Sequence, residues 1–147
     1  MTATGAGART VPDARGGSGG KITTEAVLRA LLASGVLLSA AEHFDLYAYG
    51  GGKHLDVVGS LFLLNFIAGL VLGLAVQIWH HWIVVFLAAG FSLVTVLFFY
   101  ASVIWGLWGF KETLGGPSQI FAQVVEWVAF LAGAVLLLQV WTGRSRG

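Results

Sequence analysis

Four long apolar segments restrict what this chain can fold into more than any other feature of its sequence. Residues 57–79 contain no charged side chain, and neither do residues 82–110. A helix of about 20 apolar residues crosses the hydrocarbon core of a bilayer. Residues 120–141 form a third segment of that length, with Glu126 as its one charged residue. Each of these three segments is therefore long enough to span a membrane as a helix.

The fourth apolar segment, residues 24–41, lies nearest the N-terminus and is the least apolar. It contains Glu25 and Arg29, which stand four residues apart in the order that favours a helical ion pair. Near the start of a spanning helix, the side chain of Arg29 can extend to the lipid headgroups. The small residues at 39–41 also fit a cleavable signal peptide, although Arg29 interrupts its apolar core. We expect a retained first helix, with a cleaved leader as the alternative.

Composition excludes the main classes of soluble protein. Charged residues make up 10% of the 147 residues and hydrophobic residues 57%, whereas charged residues are ~25% of an ordinary soluble domain. So small a chain could not bury that much apolar surface in water. A net charge of +1 provides no field that attracts nucleic acid. The lack of cysteine excludes disulfides, thiolate zinc sites and iron–sulfur clusters.

These observations predict an all-α fold, a four-helix transmembrane bundle. Its apolar outer surface is expected to contact the lipid bilayer. Residues 1–22 are rich in glycine and poor in large apolar side chains, so we expect a disordered N-terminal tail. A membrane domain at 23–142 follows, and residues 143–147 form a short basic tail. The helices are expected at about residues 24–41, 57–79, 82–105 and 120–141.

Small and polar residues recur at helical spacing in these segments, as they do on helix surfaces that pack together in membranes. In residues 57–79 the series is Asn65, Gly69, Gly73 and Gln77. This pattern predicts that the four helices pack as one bundle. Gly69 and Gly73 form a GxxxG motif, which is common in membrane helices and is only weak evidence for dimerisation.

The few basic residues predict the orientation of the bundle. An even number of spans places both termini on one side, and the opposite loops contain only Lys53 and Lys111. Because basic residues accumulate in cytoplasmic segments, both termini are expected to be cytoplasmic, in the plasma membrane. The basic residues on the side of the termini are Arg9, Arg15, Lys21, Arg29, Arg144 and Arg146.

Glu126 is the strongest candidate for a functional residue. It lies six residues into its segment, roughly 9 Å deep, where a carboxylate costs about 2.5 kcal/mol or more. It should therefore face the bundle interior or water, or stay protonated. Asn65 lies at a similar depth, about 12 Å, and Gln123 stands one turn from Glu126. The three side chains predict either a proton-relay or ligand-binding site, or hydrogen bonds that hold the helices together.

The segment at residues 42–56 is a second candidate, because it is dense in polar groups. The pattern His-x-Asp occurs twice, as His43 with Asp45 and as His54 with Asp56. Imidazole and carboxylate can bind metals, but the spacing matches no standard site. We therefore expect a solvated outer loop without a metal. No histidine lies mid-span to bind haem, and no nucleophile stands beside a base, so neither a cofactor nor a catalytic residue is predicted.

Three short motifs support a family resemblance. They are His-Phe-Asp-Leu-Tyr at 43–47, Gly-Ser-Leu-Phe-Leu-Leu-Asn at 59–65 and Gly-Phe-Lys-Glu at 109–112. With them the chain resembles a loose group of uncharacterised four-helix membrane proteins from actinobacteria, and its architecture is similar to that of DoxX-like proteins. The resemblance implies the four-helix fold and supplies no catalytic residue.

The leading functional hypothesis is an accessory or scaffold protein that acts through a membrane-protein partner or through homo-oligomers, without nucleic acid. The lack of an assembled catalytic constellation motivates it, and an enzyme is the least favoured class. The alternative is a proton-coupled transporter of a small solute that uses Glu126 and Asn65.

The predicted orientation can be tested because the chain contains no cysteine. Single cysteines introduced at Ser145 and at Gly51 should react with a membrane-impermeant maleimide from opposite sides of the membrane. The measurement compares labelling in intact cells with labelling in inverted vesicles. Labelling of both positions from the same side would contradict a four-span arrangement.

Overall fold

The computed structural model describes residues 23–144, and this part of the chain consists of helices joined by short turns and loops, without a β-sheet. One turn of 3-10 helix, Gly52–His54, precedes the second long helix. Each of the four long helices is long and apolar enough to cross a membrane, which confirms the all-helical class. They are α1 (Thr24–Ala48), α2 (Asp56–Ile78), α3 (Trp82–Trp105) and α4 (Pro117–Arg144). The predicted N-terminal tail lies outside the described residues.

Helix α1 continues to Ala48, seven residues beyond the end expected from hydropathy. Its last two turns are polar on one side but pack on the other, because the rings of Phe44 and Phe66 lie 4.8 Å apart. The side chain of His43 also donates a hydrogen bond from Nδ1 to the Ser39 carbonyl, 2.8 Å away. His43 and Asp45 therefore lie on a helix and not in a solvated loop.

Helix α4 begins three residues earlier than expected, at Pro117. Proline suits the first position of a helix, where its missing N–H has no intrahelical partner and its φ is already helical. The helix extends to Arg144, the last residue that the structure describes, beyond the predicted boundary at residue 141.

The helices are arranged with α1 between α2 and α4, and with α4 packed against α3; α2 and α3 make fewer contacts with each other. We call the side with Thr24, the 79–81 turn and Arg144 the terminal end of the bundle. The other side, with residues 49–55 and 106–116, is the loop end. The apolar core lies nearer the terminal end and includes Leu32, Val36, Val76, Val85, Ala129 and Leu136.

Small residues allow α4 to approach its neighbours closely. A Cβ atom placed on Gly35 of α1 would lie 2.7 Å from both the Ala129 Cβ and the Val125 carbonyl oxygen of α4. A Cβ on Gly133 of α4 would lie 2.6 Å from the Ala89 Cβ of α3. No side chain larger than hydrogen fits at either glycine without movement of a helix, so these two contacts set the spacing of three helices.

Arg29 closes the terminal end. This residue is buried, with 8% of its surface exposed, and its Nε lies 3.1 Å from the Glu25 carboxylate. Nη1 donates hydrogen bonds to the carbonyls of Val76 and Trp79, at 3.1 and 3.4 Å. The guanidinium therefore turns inward and satisfies carbonyls at the end of α2, where a cation is favourable, instead of extending outward to lipid headgroups.

The contact at Gly35 predicts a stability difference between two alanine variants. Gly35→Ala should lower the free energy of unfolding by about 1–3 kcal/mol, because the added methyl overpacks the α1–α4 contact. Gly90→Ala on α3 is the matched control, since a Cβ there meets nothing within 4 Å. Thermal unfolding in detergent, followed by circular dichroism, measures both. Equal midpoints for the two variants would show that the α1–α4 contact is not tight.

Candidate functional site

Glu126 of α4 is one of the most deeply buried side chains in the described chain, with 1% exposed. Each carboxylate oxygen accepts one hydrogen bond. The Ser39 hydroxyl of α1 donates to Oε1 at 2.7 Å, and Gln123 Nε2 donates to Oε2 at 3.2 Å. Each oxygen keeps a lone pair that these two donors do not use.

The local sequence explains this arrangement. Ser39 stands one turn beyond Gly35 on α1, and Glu126 stands nearly one turn before Ala129 on α4. Because Gly35 and Ala129 are in direct contact, the next pair along the two helices is brought within hydrogen-bond distance. Gln123 lies three residues before Glu126, on the same helix face.

No positive charge balances Glu126 within residues 23–144. The ion pair found in this part of the chain joins Arg29 to Glu25 near the terminal end. The hydrogen-bond partners of Glu126 are a hydroxyl and an amide, both neutral. A buried carboxylate with neutral partners is a costly arrangement in a membrane protein, and such residues often take part in function.

Glu126 forms part of the wall of a cavity of about 390 Å³. The cavity lies in the half of the bundle nearer the loop end, between all four helices and the 106–112 segment. Most of its wall is apolar and aromatic. Its polar wall consists of Glu42, His43, Asn65, Thr95, Ser102, Glu112, Ser118, Gln119, Gln123 and Glu126.

Asn65 of α2 lies on the same wall but makes a separate hydrogen bond. Its Nδ2 donates to the Thr95 Oγ1 of α3 at 3.3 Å, while the Thr95 hydroxyl donates to the Phe91 carbonyl at 2.9 Å. Since the Thr95 proton is already used, Thr95 can only accept from Asn65. The amide oxygen of Asn65 is consequently left buried without a partner in the protein.

Gln123 has a similar unpaired atom. Its Nε2 donates to Glu126, and its Oε1 is buried without a partner. The structure thus brings the three residues singled out in the sequence, Glu126, Asn65 and Gln123, onto one cavity wall. Glu126 and Gln123 contact each other, whereas Asn65 pairs with Thr95.

The four polar residues at 43–56 do not come together. His43 lines the cavity near its loop end, and its ring packs edge-on against Phe62. Asp45 is exposed on α1, His54 is exposed in the 3-10 turn, and Asp56 is the exposed first residue of α2. Residues 23–144 contain no group of three or more His, Cys, Asp or Glu side chains placed to hold a metal ion.

The sequence predicts a short re-entrant or interface-lying turn at residues 106–112, but it does not connect this segment with the cavity, which the segment covers at the loop end. Leu107 and Phe110 exchange two backbone hydrogen bonds, at 2.7 and 2.8 Å, and so form a tight turn. Phe110 packs against Phe62 of α2, with ring centroids 5.9 Å apart. Glycines with positive φ at 106 and 109 make the turn possible. The alternation of these two glycines with Trp108 and Phe110 is the sequence signal for such a turn.

Trp108 and Glu112 belong to the same segment and also line the cavity. Trp108 has a φ of 46°, a left-handed conformation that large side chains rarely adopt. The Glu112 N–H donates to the Ser102 hydroxyl at 3.2 Å, which fixes the segment to the end of α3. Burial raises the pKa of the Glu112 carboxyl above its usual value, opposed by the hydrogen bond that it accepts from the Thr113 N–H.

Comparison with known proteins finds no match. No family model, no curated protein and no solved structure matches this chain. The resemblance to actinobacterial four-helix proteins therefore stays a prediction, and the functional argument rests on the geometry of the cavity.

The raised pKa of Glu112 predicts a pH dependence of stability. The folded state binds the carboxyl proton more tightly than the unfolded state, so the stabilisation is present at acidic pH and is lost as the pH rises above about 4.5. The Glu112→Gln variant lacks this effect, because a glutamine side chain has no carboxyl proton to lose. We expect the thermal midpoint of the native chain to decrease relative to that of this variant as the pH is raised from 4 to 7. Tryptophan fluorescence measures both midpoints. Asp45→Asn, at an exposed position, is the control, and a constant difference between native chain and Glu112→Gln would contradict the burial of Glu112.

Proposed function

We propose that this chain is a multi-pass membrane protein that binds a small amphipathic molecule in the cavity of its bundle, with Glu126 as the polar anchor. The observation that supports this most directly is a buried carboxylate, without a cationic partner in the described chain, on the wall of a cavity of about 390 Å³. Ligand pockets in proteins have volumes of roughly 300–1,000 Å³, with mainly apolar walls and a few polar groups.

The surroundings of the cavity suggest how a ligand enters. Leu64 of α2 and Val94 and Phe98 of α3 line the cavity and are also about half exposed on the outside of the bundle. Since α2 and α3 make few contacts, the gap between them gives a path from the lipid-facing surface. An amphipathic molecule already dissolved in the bilayer can use this path without crossing water.

The cavity is closed towards the terminal end. There the bundle is filled by fully buried side chains, including Leu32, Val76 and Val85. A cavity that opens to one half of the membrane is suited to ligand binding. A transporter also adopts such a conformation, as one of the two between which it alternates.

This proposal builds on the transporter hypothesis, which used Glu126 and Asn65, more than on the accessory or scaffold hypothesis. A scaffold needs an exposed surface for its partner, and it does not need an internal site with a buried acid. Glu126 can also exchange a proton with a ligand or with water in the cavity, which is the chemistry that proton coupling requires. The scaffold role and the homo-oligomer stay predictions.

We further propose that the protein lies in the plasma membrane with both termini cytoplasmic, which places the loop end and the cavity in the outer half of the membrane. The supporting observation is the excess of basic residues on the side of the termini.

The proposal predicts that filling the cavity abolishes binding. Ala122 lies on the cavity wall, so Ala122→Trp places an indole inside it. Val135→Trp is the matched control, because Val135 is on the exposed face of α4 outside the cavity. The protein in phosphatidylcholine nanodiscs is titrated with tritiated n-octanol, n-octylamine and octanoate, and empty nanodiscs give the background.

At least one of the three compounds should bind saturably to the native chain and to Val135→Trp, and Ala122→Trp should lose this binding. Equal binding to the native chain and to Ala122→Trp, or no saturable binding of any compound, would overturn the proposed function.

A further inference from the structure

We infer that the polar group of the ligand is a protonated amine, so that the cavity binds a lipophilic ammonium compound. This inference rests on the proposed function and names the class of molecule that the same site takes. It follows from the hydrogen-bonding groups that the protein leaves unused, from the charge of the cavity and from its aromatic wall.

The unused groups all accept hydrogen bonds. Among residues 23–144, the buried side-chain polar atoms without a partner are two, the Oδ1 of Asn65 and the Oε1 of Gln123. Both residues line the cavity. A buried unpaired acceptor costs about 1–3 kcal/mol, so a bound molecule that brings donors recovers this energy. The ligand is thus expected to donate hydrogen bonds at its polar end.

The orientation of the two amides follows from their neighbours. Asn65 must direct its NH₂ to Thr95, because the Thr95 hydroxyl already donates to the Phe91 carbonyl. Gln123 directs its NH₂ to the Glu126 carboxylate. Reversing the Gln123 amide would place its oxygen against the Glu126 carboxylate, and reversing the Asn65 amide would require the Thr95 hydroxyl to give up its hydrogen bond to the Phe91 carbonyl. The unpaired atoms are therefore oxygens, and a ligand that only accepts hydrogen bonds cannot satisfy them.

A primary ammonium group matches this set. It has three N–H donors and no acceptor, and Asn65, Gln123 and Glu126 on the cavity wall all have oxygens that can accept a further hydrogen bond. A hydroxyl group has one donor, so it would leave at least one of the two amide oxygens unpaired. A carboxylate ligand would bring a second negative charge to Glu126 without any donor.

The charge of the cavity favours a cation. Three carboxyl groups line it, those of Glu42, Glu112 and Glu126, and no lysine or arginine is among the described lining residues. The fourth titratable lining residue is His43, whose Nδ1 donates to the Ser39 carbonyl and whose Nε2 is an acceptor in the neutral ring. In a site with low dielectric constant, such a one-sided distribution of charge attracts cations strongly.

The aromatic wall fits both parts of such a ligand. The apolar lining includes Phe62, Phe91, Phe98, Phe99, Trp108 and Phe110. Aromatic faces attract ammonium groups, by about 0.5–2 kcal/mol depending on desolvation. The same rings bury an alkyl chain, which explains why the ligand is lipophilic and enters from the bilayer.

The test compares n-octylamine, n-octanol and octanoate, which share one alkyl chain and differ in the polar group. Binding is measured at pH 7 with the native chain in nanodiscs of zwitterionic phosphatidylcholine, so that lipid charge does not attract the amine. We expect n-octylamine to bind about tenfold more tightly than n-octanol, with octanoate weakest.

Two variants test the assigned acceptors. Glu126→Gln keeps the size of the side chain and removes its charge, so the preference for the amine should disappear while octanol binding persists. Asn65→Leu removes one unpaired oxygen and should reduce the same preference. Asp45→Asn, which removes an exposed carboxylate outside the cavity, should bind as the native chain does. Circular dichroism and gel filtration verify that each variant is folded.

The results separate this inference from the proposed function. Saturable binding of all three compounds with equal affinity, lost in Ala122→Trp, would overturn the amine assignment and leave the proposed function standing. A preference for the amine that survives Glu126→Gln would also overturn the inference. No saturable binding of any compound would overturn both. If Glu126→Gln does not fold, the affinity order in the native chain and the effect of Asn65→Leu still decide the question.

Discussion

The close contact of α1 and α4 at Gly35 and Ala129 is the interaction on which the rest of the structure depends. Only a glycine at position 35 allows the two helix backbones to approach this closely. One turn farther along, the approach brings the Ser39 hydroxyl to Glu126, 2.7 Å away. Without it, the buried carboxylate would lose its shortest hydrogen bond, which is costly for a charged group.

The two halves of the bundle differ in how closely their helices pack, because the side chains between the helices differ in size. Near the terminal end, Gly133 meets Ala89 and Gly73 meets Leu37, so the helices pack without a large void. Near the loop end, the side chains of α2 and α3 that line the cavity include the large rings of Phe62, Phe91, Phe98 and Phe99. Large rings hold the helices apart and cannot fill the space between them completely, which leaves the cavity. A bundle of the same length with small residues throughout would pack closely in both halves.

Buried polar side chains in this protein differ in how completely their hydrogen-bonding atoms are paired. At the terminal end, the buried Arg29 is well satisfied, because Nε bonds Glu25 and Nη1 donates to two backbone carbonyls of the α2 end. On the cavity wall, Asn65 and Gln123 are only half used, since each donates one hydrogen bond and keeps a buried oxygen unpaired. The first pattern stabilises the fold, whereas the second leaves interaction energy available to a bound molecule. This contrast, more than the presence of Glu126 alone, distinguishes the cavity from ordinary helix packing.

The sequence by itself determined the four apolar helices and Glu126 as the charge buried deep within one of them. Hydropathy and charge belong to local segments, so they can be evaluated without knowing which helices are neighbours. The tertiary structure alone decided that α1 continues to Ala48, that Ser39 binds Glu126 from 87 residues away, and that Thr95 orients the amide of Asn65. It also decided that the space between the helices stays open at one end. Each of these features depends on distances between side chains of different helices, and those distances follow from packing, which no single segment specifies.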